Sequence, residues 1–207
     1  STILNDIEAL PKGLLFWRSS THYIGGLGVV VFLLLVMPQA SPYRLKLTNM
    51  EMSTLSKGGY KYKSSKIVRI ITGVYVGFTI ACALSLWAAG MSLFDAVNHS
   101  FSIAATGGFS TRNMSIGYYQ SDLINLIVIF FMAVCAMHFG LIYAVFATGS
   151  LKPMKNSVVG YYFGSITVCS LIVMFVLMIQ GGYDSWGRAA VDSAFTVVSY
   201  MSTAGFG

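Results

Sequence analysis

Two short stretches with glycine carry the groups in this chain that are best suited to chemistry. They are Ala105-Thr106-Gly107-Gly108-Phe109-Ser110 and Ser202-Thr203-Ala204-Gly205-Phe206-Gly207. A shift of about 97 positions superposes them, and the same shift places Asp95 on Asp192, so they form an internal repeat. Glycine permits backbone angles that turn successive carbonyl oxygens to one side. A row of such oxygens can replace the water shell of a cation.

Each stretch follows an apolar run that is too short to cross a membrane. The first run, Leu93 to Ala104, would reach about 18 Å as a helix, roughly half of a hydrocarbon core about 30 Å thick. Ser92 and Asp95 have the spacing of a helix-capping box, which favours a helix start at this point. The second run is Ala189 to Met201. A single copy would favour a simple glycine turn between helices, but two copies favour a pair of re-entrant pore loops.

The helix before each stretch determines which ions the stretch can hold. A half-helix that enters from outside points its partially negative C-terminal end toward the membrane centre, which favours a cation. We therefore predict that main-chain carbonyls bind the ion, at Thr106, Gly107, Gly108, Phe109, Thr203, Ala204, Gly205 and Phe206. Asp95 and Asp192 are predicted at the half-helix starts, where they would stabilise the positive helix end or, as the less favoured alternative, attract cations.

Composition places the chain in a membrane. Of its 207 residues, 56% are hydrophobic and 10% charged, against roughly 25% charged in a soluble domain. The chain has a net charge of +6, but its basic residues are not interleaved with exposed aromatic residues, so nucleic acid is not expected as a partner. The three cysteines lie inside apolar runs and predict no disulfide or metal framework, and no cofactor is expected. The first twenty residues lack the apolar core of a signal peptide, so targeting is expected to rest on the transmembrane helices.

The apolar segments predict an all-α membrane protein with four transmembrane spans and two re-entrant half-helices. The spans are 22–37, 67–90, 122–149 and 158–180, the third with a kink at Gly140. Residues 1–21 are expected to form an extramembrane loop with a short turn at Leu14 to Trp17. Segments 38–66 and 150–157 carry eight Lys and Arg residues, so the positive-inside bias places them in the cytoplasm. Both glycine stretches then enter from outside.

The histidines and serines raise the alternative of an intramembrane hydrolase. It would pair His99 or His138 with Ser100 or Ser102, but the glycine signature of such enzymes is absent, so no enzyme is expected. A buried histidine that bonds to a neighbouring carbonyl is the favoured interpretation. His22, at a helix start, is interpreted as a packing or hydrogen-bonding residue, with a pH-sensitive role as the minor alternative.

Three groups of residues together resemble the Trk/Ktr/HKT superfamily of potassium transporters, most closely its TrkH-type pore subunits. They are Leu10 to Ser19 leading into Ile24-Gly25-Gly26-Leu27-Gly28, then Phe94-Asp95-Ala96 leading into the first glycine stretch, then the second glycine stretch. The resemblance covers essentially the whole chain. It implies four repeats of helix, pore helix, filter loop and helix around one pore.

The resemblance also divides the chain. Residues 1–37 would be a loop and the last helix of repeat one, 38–66 a basic cytoplasmic linker, 67–149 repeat two, 150–157 a cytoplasmic turn and 158–207 the front of repeat three. The chain would then be a fragment that lacks the first and fourth filters. The filter glycine shared by all repeats would be Gly108 and Gly205, whereas Gly107 matches Ala204, which implies a less symmetric pore than in tetrameric channels.

The function that the resemblance implies is potassium uptake across the bacterial cytoplasmic (inner) membrane, with K⁺ bound at the filter residues only. The alternatives are a non-conducting accessory subunit and a sodium/potassium symporter of the same superfamily. The expected partners are the lipid bilayer, a second copy in a homodimer and a cytosolic nucleotide-binding regulatory subunit, for which the Lys-rich segment 38–66 is a candidate docking surface.

Overall fold

A computed structural model describes residues 6–36, 64–137, 145, 157–181 and 185–206. These residues form helices and no strand, as expected for the all-α class. We number the helices in chain order and list them with their bounds: α1 Lys12–Val36, α2 Ser64–Ala88, α3 Leu93–Ala104, α4 Asp122–Cys135, α5 Ser157–Ile179 and α6 Trp186–Met201. One 3₁₀ turn, Ser115–Tyr119, lies between α3 and α4.

Helix α3 begins and ends where the sequence predicts. The Ser92 hydroxyl accepts a hydrogen bond from the Asp95 amide at 3.1 Å and donates one to the Asp95 carboxylate at 2.9 Å. At the other end the Thr106 amide bonds to the Ile103 carbonyl and the Gly107 amide to the Ser102 carbonyl, a capping pattern of the Schellman type. The 12 residues of α3 reach about 18 Å, too short to cross a bilayer.

The predicted start of the second short helix is wrong by three residues. Helix α6 begins at Trp186, after Ser185 in the extended conformation of an N-cap residue, and not at Ala189. Asp192 is therefore the seventh residue of α6 and is not at a helix start. Its carboxylate cannot act on the first-turn amides, which corrects the role predicted from its equivalence to Asp95. The helix ends, and not the starts, occupy equivalent places in the repeat.

The predicted extramembrane loop at residues 1–21 is also wrong in part. Helix α1 begins at Lys12, one residue after Pro11, and runs without a break through the predicted turn at Leu14 to Trp17. Proline is common at the start of a helix because its missing amide needs no partner there. The charged side chain of Arg18 is accommodated within α1 because it donates to the Ser110 carbonyl at 2.5 Å.

The contacts between helices follow a repeated pattern along the chain. Helix α2 packs on α3 and α5 packs on α6, so each long helix is followed by the short helix that it contacts, while α1 packs on α3 and α4 packs on α6. Ile71–Ala88 and Ser157–Ile179 are long and apolar enough to cross a membrane. Spans at 22–37 and 122–149 stay predictions. His138, Gly140 and most of the segments 38–66 and 150–157 lie outside the described residues.

Candidate ion site at the paired loops

The two glycine stretches adopt the same unusual backbone. We call residues 106–109 the first loop and residues 203–206 the second loop. Thr106 and Thr203 have φ of +51° and +58°, and Gly108 and Gly205 have φ of +66° and +71°. The intervening Gly107 and Ala204 lie outside this left-handed region. A threonine with positive φ is uncommon and costs free energy, and such backbone strain concentrates at functional sites.

The amides of both loops point back to the short helices. In the first loop, the Thr106 and Gly107 amides donate to Ile103 O and Ser102 O at 3.1 and 2.8 Å, and the Phe109 amide donates to Ser102 Oγ at 2.6 Å. In the second loop, the Thr203 and Gly205 amides donate to Tyr200 O and Ser199 O, both at 3.1 Å, and the Ala204 amide donates to Ser202 Oγ at 3.3 Å.

The carbonyls of the loops behave differently from the amides. Within the described part of the chain, only one of the eight predicted carbonyl ligands accepts a hydrogen bond, namely Phe206 O, from Ser199 Oγ at 2.5 Å. Phe109 O has no such donor among the described residues, and the serine equivalent to Ser199, Ser102, accepts from the Phe109 amide through its Oγ. The other seven carbonyl oxygens accept no hydrogen bond from the described residues.

The two loops touch through their backbones. A Cβ atom built on Gly108 would overlap the carbonyl oxygens of Ala204 and Gly205, so no other residue fits there without movement of the second loop. The loop phenylalanines each pack against a histidine of another helix. Phe109 packs edge-on against His22 of α1, with 5.1 Å between ring centroids, and Phe206 stacks on His99 of α3 at 6.3 Å. Each ring thus packs on a helix that comes earlier in the chain than the short helix before its own loop.

His99 anchors the end of the first loop. Its Nδ1 lies 2.7 Å from the Asp95 carbonyl oxygen and its Nε2 2.9 Å from Ser110 Oγ. Since a carbonyl only accepts, Nδ1 carries the proton and the Ser110 hydroxyl donates to Nε2. Ser110 Oγ in turn accepts from the Arg112 amide at 3.0 Å. The sequence predicted a buried histidine bonded to a carbonyl, and the structure confirms it, whereas the partnership with Ser110 had no sequence signal.

Asp95 holds the segment that follows the first loop. It is buried, accepts from Thr111 Oγ1 at 2.6 Å and pairs with Arg112 Nη2 at 3.3 Å. Burial alone would raise the pKa of Asp95, but the hydrogen bonds from Thr111 and Ser92 outweigh it and lower the pKa below its ordinary value. The carboxylate is therefore ionised and internally paired. This geometry favours a structural role over attraction of cations at the mouth.

A polar strap fastens the same segment to the start of the described chain. The Asn113 side chain accepts from the Ile7 amide at 2.7 Å and donates to Asp6 at 2.9 Å. This bond from Asn113 is the main reason that the pKa of Asp6 is lowered. Arg112 lies 3.8 Å from Glu8. The strap joins residues more than 100 positions apart, which no local sequence pattern indicates.

The structure does not place Ser100 or Ser102 in a hydrogen bond with His99, which the hydrolase alternative requires. Ser100 Oγ donates to the Val97 carbonyl and Ser102 Oγ accepts from the Phe109 amide, so neither hydroxyl faces His99. The serine that does bond to His99, Ser110, is buried, and its hydroxyl is fixed by the Arg112 amide as well. His138, the other candidate base, lies outside the described residues.

Comparison with known proteins gives these loops their context. The family model for TrkH, described as a cation transport protein, matches residues 1–178. The chain belongs to the TrkH family. It is 33% identical over 212 residues to the Trk system potassium uptake protein TrkH of Escherichia coli, with 100% of the chain and 43% of that protein covered. To the potassium uptake protein TrkG of the same species it is 32% identical, with 99% and 42% covered.

A solved TrkH-family structure has the same fold. The crystal structure of the potassium transporter TrkH from Vibrio parahaemolyticus superposes with a TM-score of 0.83 at 32% identity and covers 100% of this chain. The match spans 42% of that transporter, so the chain has about two fifths of the length of these TrkH-family proteins. The membership makes the chain part of an all-α membrane protein of a cation transport family, as the resemblance implied.

Proposed function

We propose that this chain contributes two filter loops to a pore for potassium uptake across the bacterial cytoplasmic membrane. The observation that carries the proposal is the difference in hydrogen bonding between the loop amides and the loop carbonyls. Six of their amides bond back to α3, α6 or the residues just after them, while seven carbonyl oxygens have no donor among the described residues. Oxygens presented in this way coordinate a monovalent cation after it has lost its water.

The helices behind the loops set the sign of the charge that is bound. Both α3 and α6 end at a loop, so the partial negative charge of each C-terminus faces the same region. Because the loops touch at Gly108, the two fields add where the loops meet. An anion would meet carbonyl oxygens and two negative helix ends, whereas a cation is stabilised by both.

The wider assembly follows from the same family. We propose a complete protein with four such loops, which works as a homodimer in the lipid bilayer together with a cytosolic nucleotide-binding regulatory subunit. Segments 38–66 and 150–157 are then cytoplasmic, and the loops enter from outside. Relatives in Escherichia coli and Vibrio parahaemolyticus carry the name of potassium uptake or transport, which favours K⁺ as the cargo over the symport of Na⁺ with K⁺.

The test is complementation of bacterial cells that cannot take up potassium, with the complete gene that contains this chain. We expect growth at low potassium with the unaltered gene and loss of growth with Gly108→Ser, because the hydroxymethyl group would overlap the second loop. Immunoblots of the membrane fraction check that the variant is present. Growth of the Gly108→Ser cells at the unaltered rate contradicts a filter role, and a non-conducting accessory subunit would then explain the fold.

A further inference from the structure

Two side chains of α1 lie against the outer side of the first loop. Arg18 and His22 are four residues apart, so they stand one above the other on the same helix face. Arg18 places its guanidinium carbon 4.9 Å from the centre of the Phe109 ring, and His22 meets the same ring edge-on. We call this pair the outer bracket.

Arg18 controls the carbonyl that follows the loop. Its Nη2 donates to Ser110 O at 2.5 Å, and the Ser110 hydroxyl is held on the opposite side by His99. Ser110 is therefore fixed from both directions. Its carbonyl accepts a hydrogen bond from a cationic side chain, whereas the four carbonyls of the first loop accept none from the described residues.

The position of His22 explains why residue 107 is a glycine, although the backbone angles at that position do not require one. Gly107 lies outside the left-handed region, so another residue could adopt its conformation. A Cβ atom at this position would, however, overlap the His22 imidazole. The equivalent residue of the second loop is Ala204, which is buried and has a Cβ. Gly107 and His22 are thus a complementary pair, and the ring can leave only by breaking its contact with Phe109.

We propose that the outer bracket, Arg18 and His22, positions the first loop and thereby sets how sharply the pore distinguishes K⁺ from Na⁺. The inference rests on the proposed function, since it assigns discrimination to the same carbonyls. Discrimination depends on the spacing and number of the oxygens that face the ion. The bracket holds the first loop at two places: His22 limits the position of Gly107, and Arg18 holds Ser110, the residue directly after Phe109.

The experiment compares K⁺ and Na⁺ uptake rates in cells that carry the complete gene with Gly107→Ala, His22→Ala or both. Gly107→Ala is expected to lower the K⁺ to Na⁺ rate ratio roughly tenfold, which corresponds to about 1.4 kcal/mol. His22→Ala should lower the ratio less, because it leaves space beside the loop without pushing it. The double variant should recover most of the ratio lost in Gly107→Ala, since the added methyl group then occupies the space of the imidazole.

Arg18 is tested by its charge and its shape separately. Arg18→Lys keeps the charge but loses the planar group over Phe109, and Arg18→Gln keeps a donor without the charge. Both should lower the rate ratio, and Arg18→Gln more. Thr21→Ala, an exposed neighbour on α1, is the control and should leave the ratio unchanged.

The outcomes separate this inference from the proposed function. If Gly108→Ser abolishes uptake but the double variant is no better than Gly107→Ala, the bracket is refuted and the filter stands. Unchanged K⁺ to Na⁺ ratios in the Arg18 and His22 variants also refute it. If Gly108→Ser leaves uptake intact, the filter assignment itself fails.

Discussion

Replacement of Gly108 by alanine tests the contact between the two loops most directly. The change adds one methyl group at a residue with φ of +66°, directly against the carbonyl oxygens of Ala204 and Gly205. These are backbone atoms of a loop whose amides are already bonded to α6, so they cannot rotate away as a side chain would. Gly181 provides a matched comparison, because its φ is +69° and no described atom lies within 4 Å of its Cβ position.

Gly108→Ala and Gly181→Ala share one free-energy cost and differ in a second. A non-glycine residue in the left-handed region costs about 1–2 kcal/mol, and this applies to Gly108→Ala and Gly181→Ala alike. Insertion of a methyl group into a filled space costs a further ~1–3 kcal/mol, and this applies to Gly108 alone. The sum for Gly108→Ala is roughly 2–5 kcal/mol, which lowers the population of the native loop arrangement about 30-fold or more.

The assay is the initial rate of potassium uptake by potassium-depleted cells, with the protein level measured in the same membranes. Gly108→Ala should reduce the rate per molecule at least tenfold, whereas Gly181→Ala should stay within about twofold of the unaltered protein. Equal rates for the two variants would show that the methyl group meets no resistance at Gly108. The backbone contact between the loops would then be wrong.

Two more substitutions test the supports of the loops. We expect Asp95→Asn to lower the free energy of unfolding by about 1–3 kcal/mol, because Thr111 and Arg112 lose a charged acceptor. Since the pKa of Asp95 is lowered in the folded protein, the unaltered protein should lose this stabilisation as the pH falls through that pKa, whereas the variant should not. Thermal melts of detergent-solubilised protein at several pH values measure both effects. Ser199→Ala should free the Phe206 carbonyl and lower the K⁺ to Na⁺ uptake ratio with no change in protein level, and an unaltered ratio would contradict a role for this bond.

The sequence predicted the repeat and the first half-helix because their determinants are local. Ser92 and Asp95 lie three residues apart, and the predicted apolar run Leu93 to Ala104 coincides with the helix that forms. The carbonyl row was predicted from the glycines of each loop and from the helix before it, and its role as an ion site stays a prediction. The structure adds that threonine, as well as glycine, takes the left-handed conformation.

One error arose where a distant contact decides the outcome, and the other arose from a local helix start. Arg18 suggested a loop outside the membrane, yet α1 continues through it because a carbonyl 92 positions away accepts its hydrogen bond. Asp192 was assigned by analogy with Asp95, but Ser185 and Trp186 extend α6 at its N-terminal end and leave the carboxylate almost two turns inside. No local sequence pattern indicates the contacts of Asn113 and Ser110 or the pairing of His22 with Gly107, so the sequence could not predict them.

The close approach of Gly108 to the second loop constrains how the two halves of the site can change over time. A bulkier residue at Gly108 pushes on the main chain of the second loop at Ala204 and Gly205, so a change there requires a compensating change in the second loop. The duplicated segments are therefore not free to diverge separately, and substitutions at their meeting point should be found as pairs.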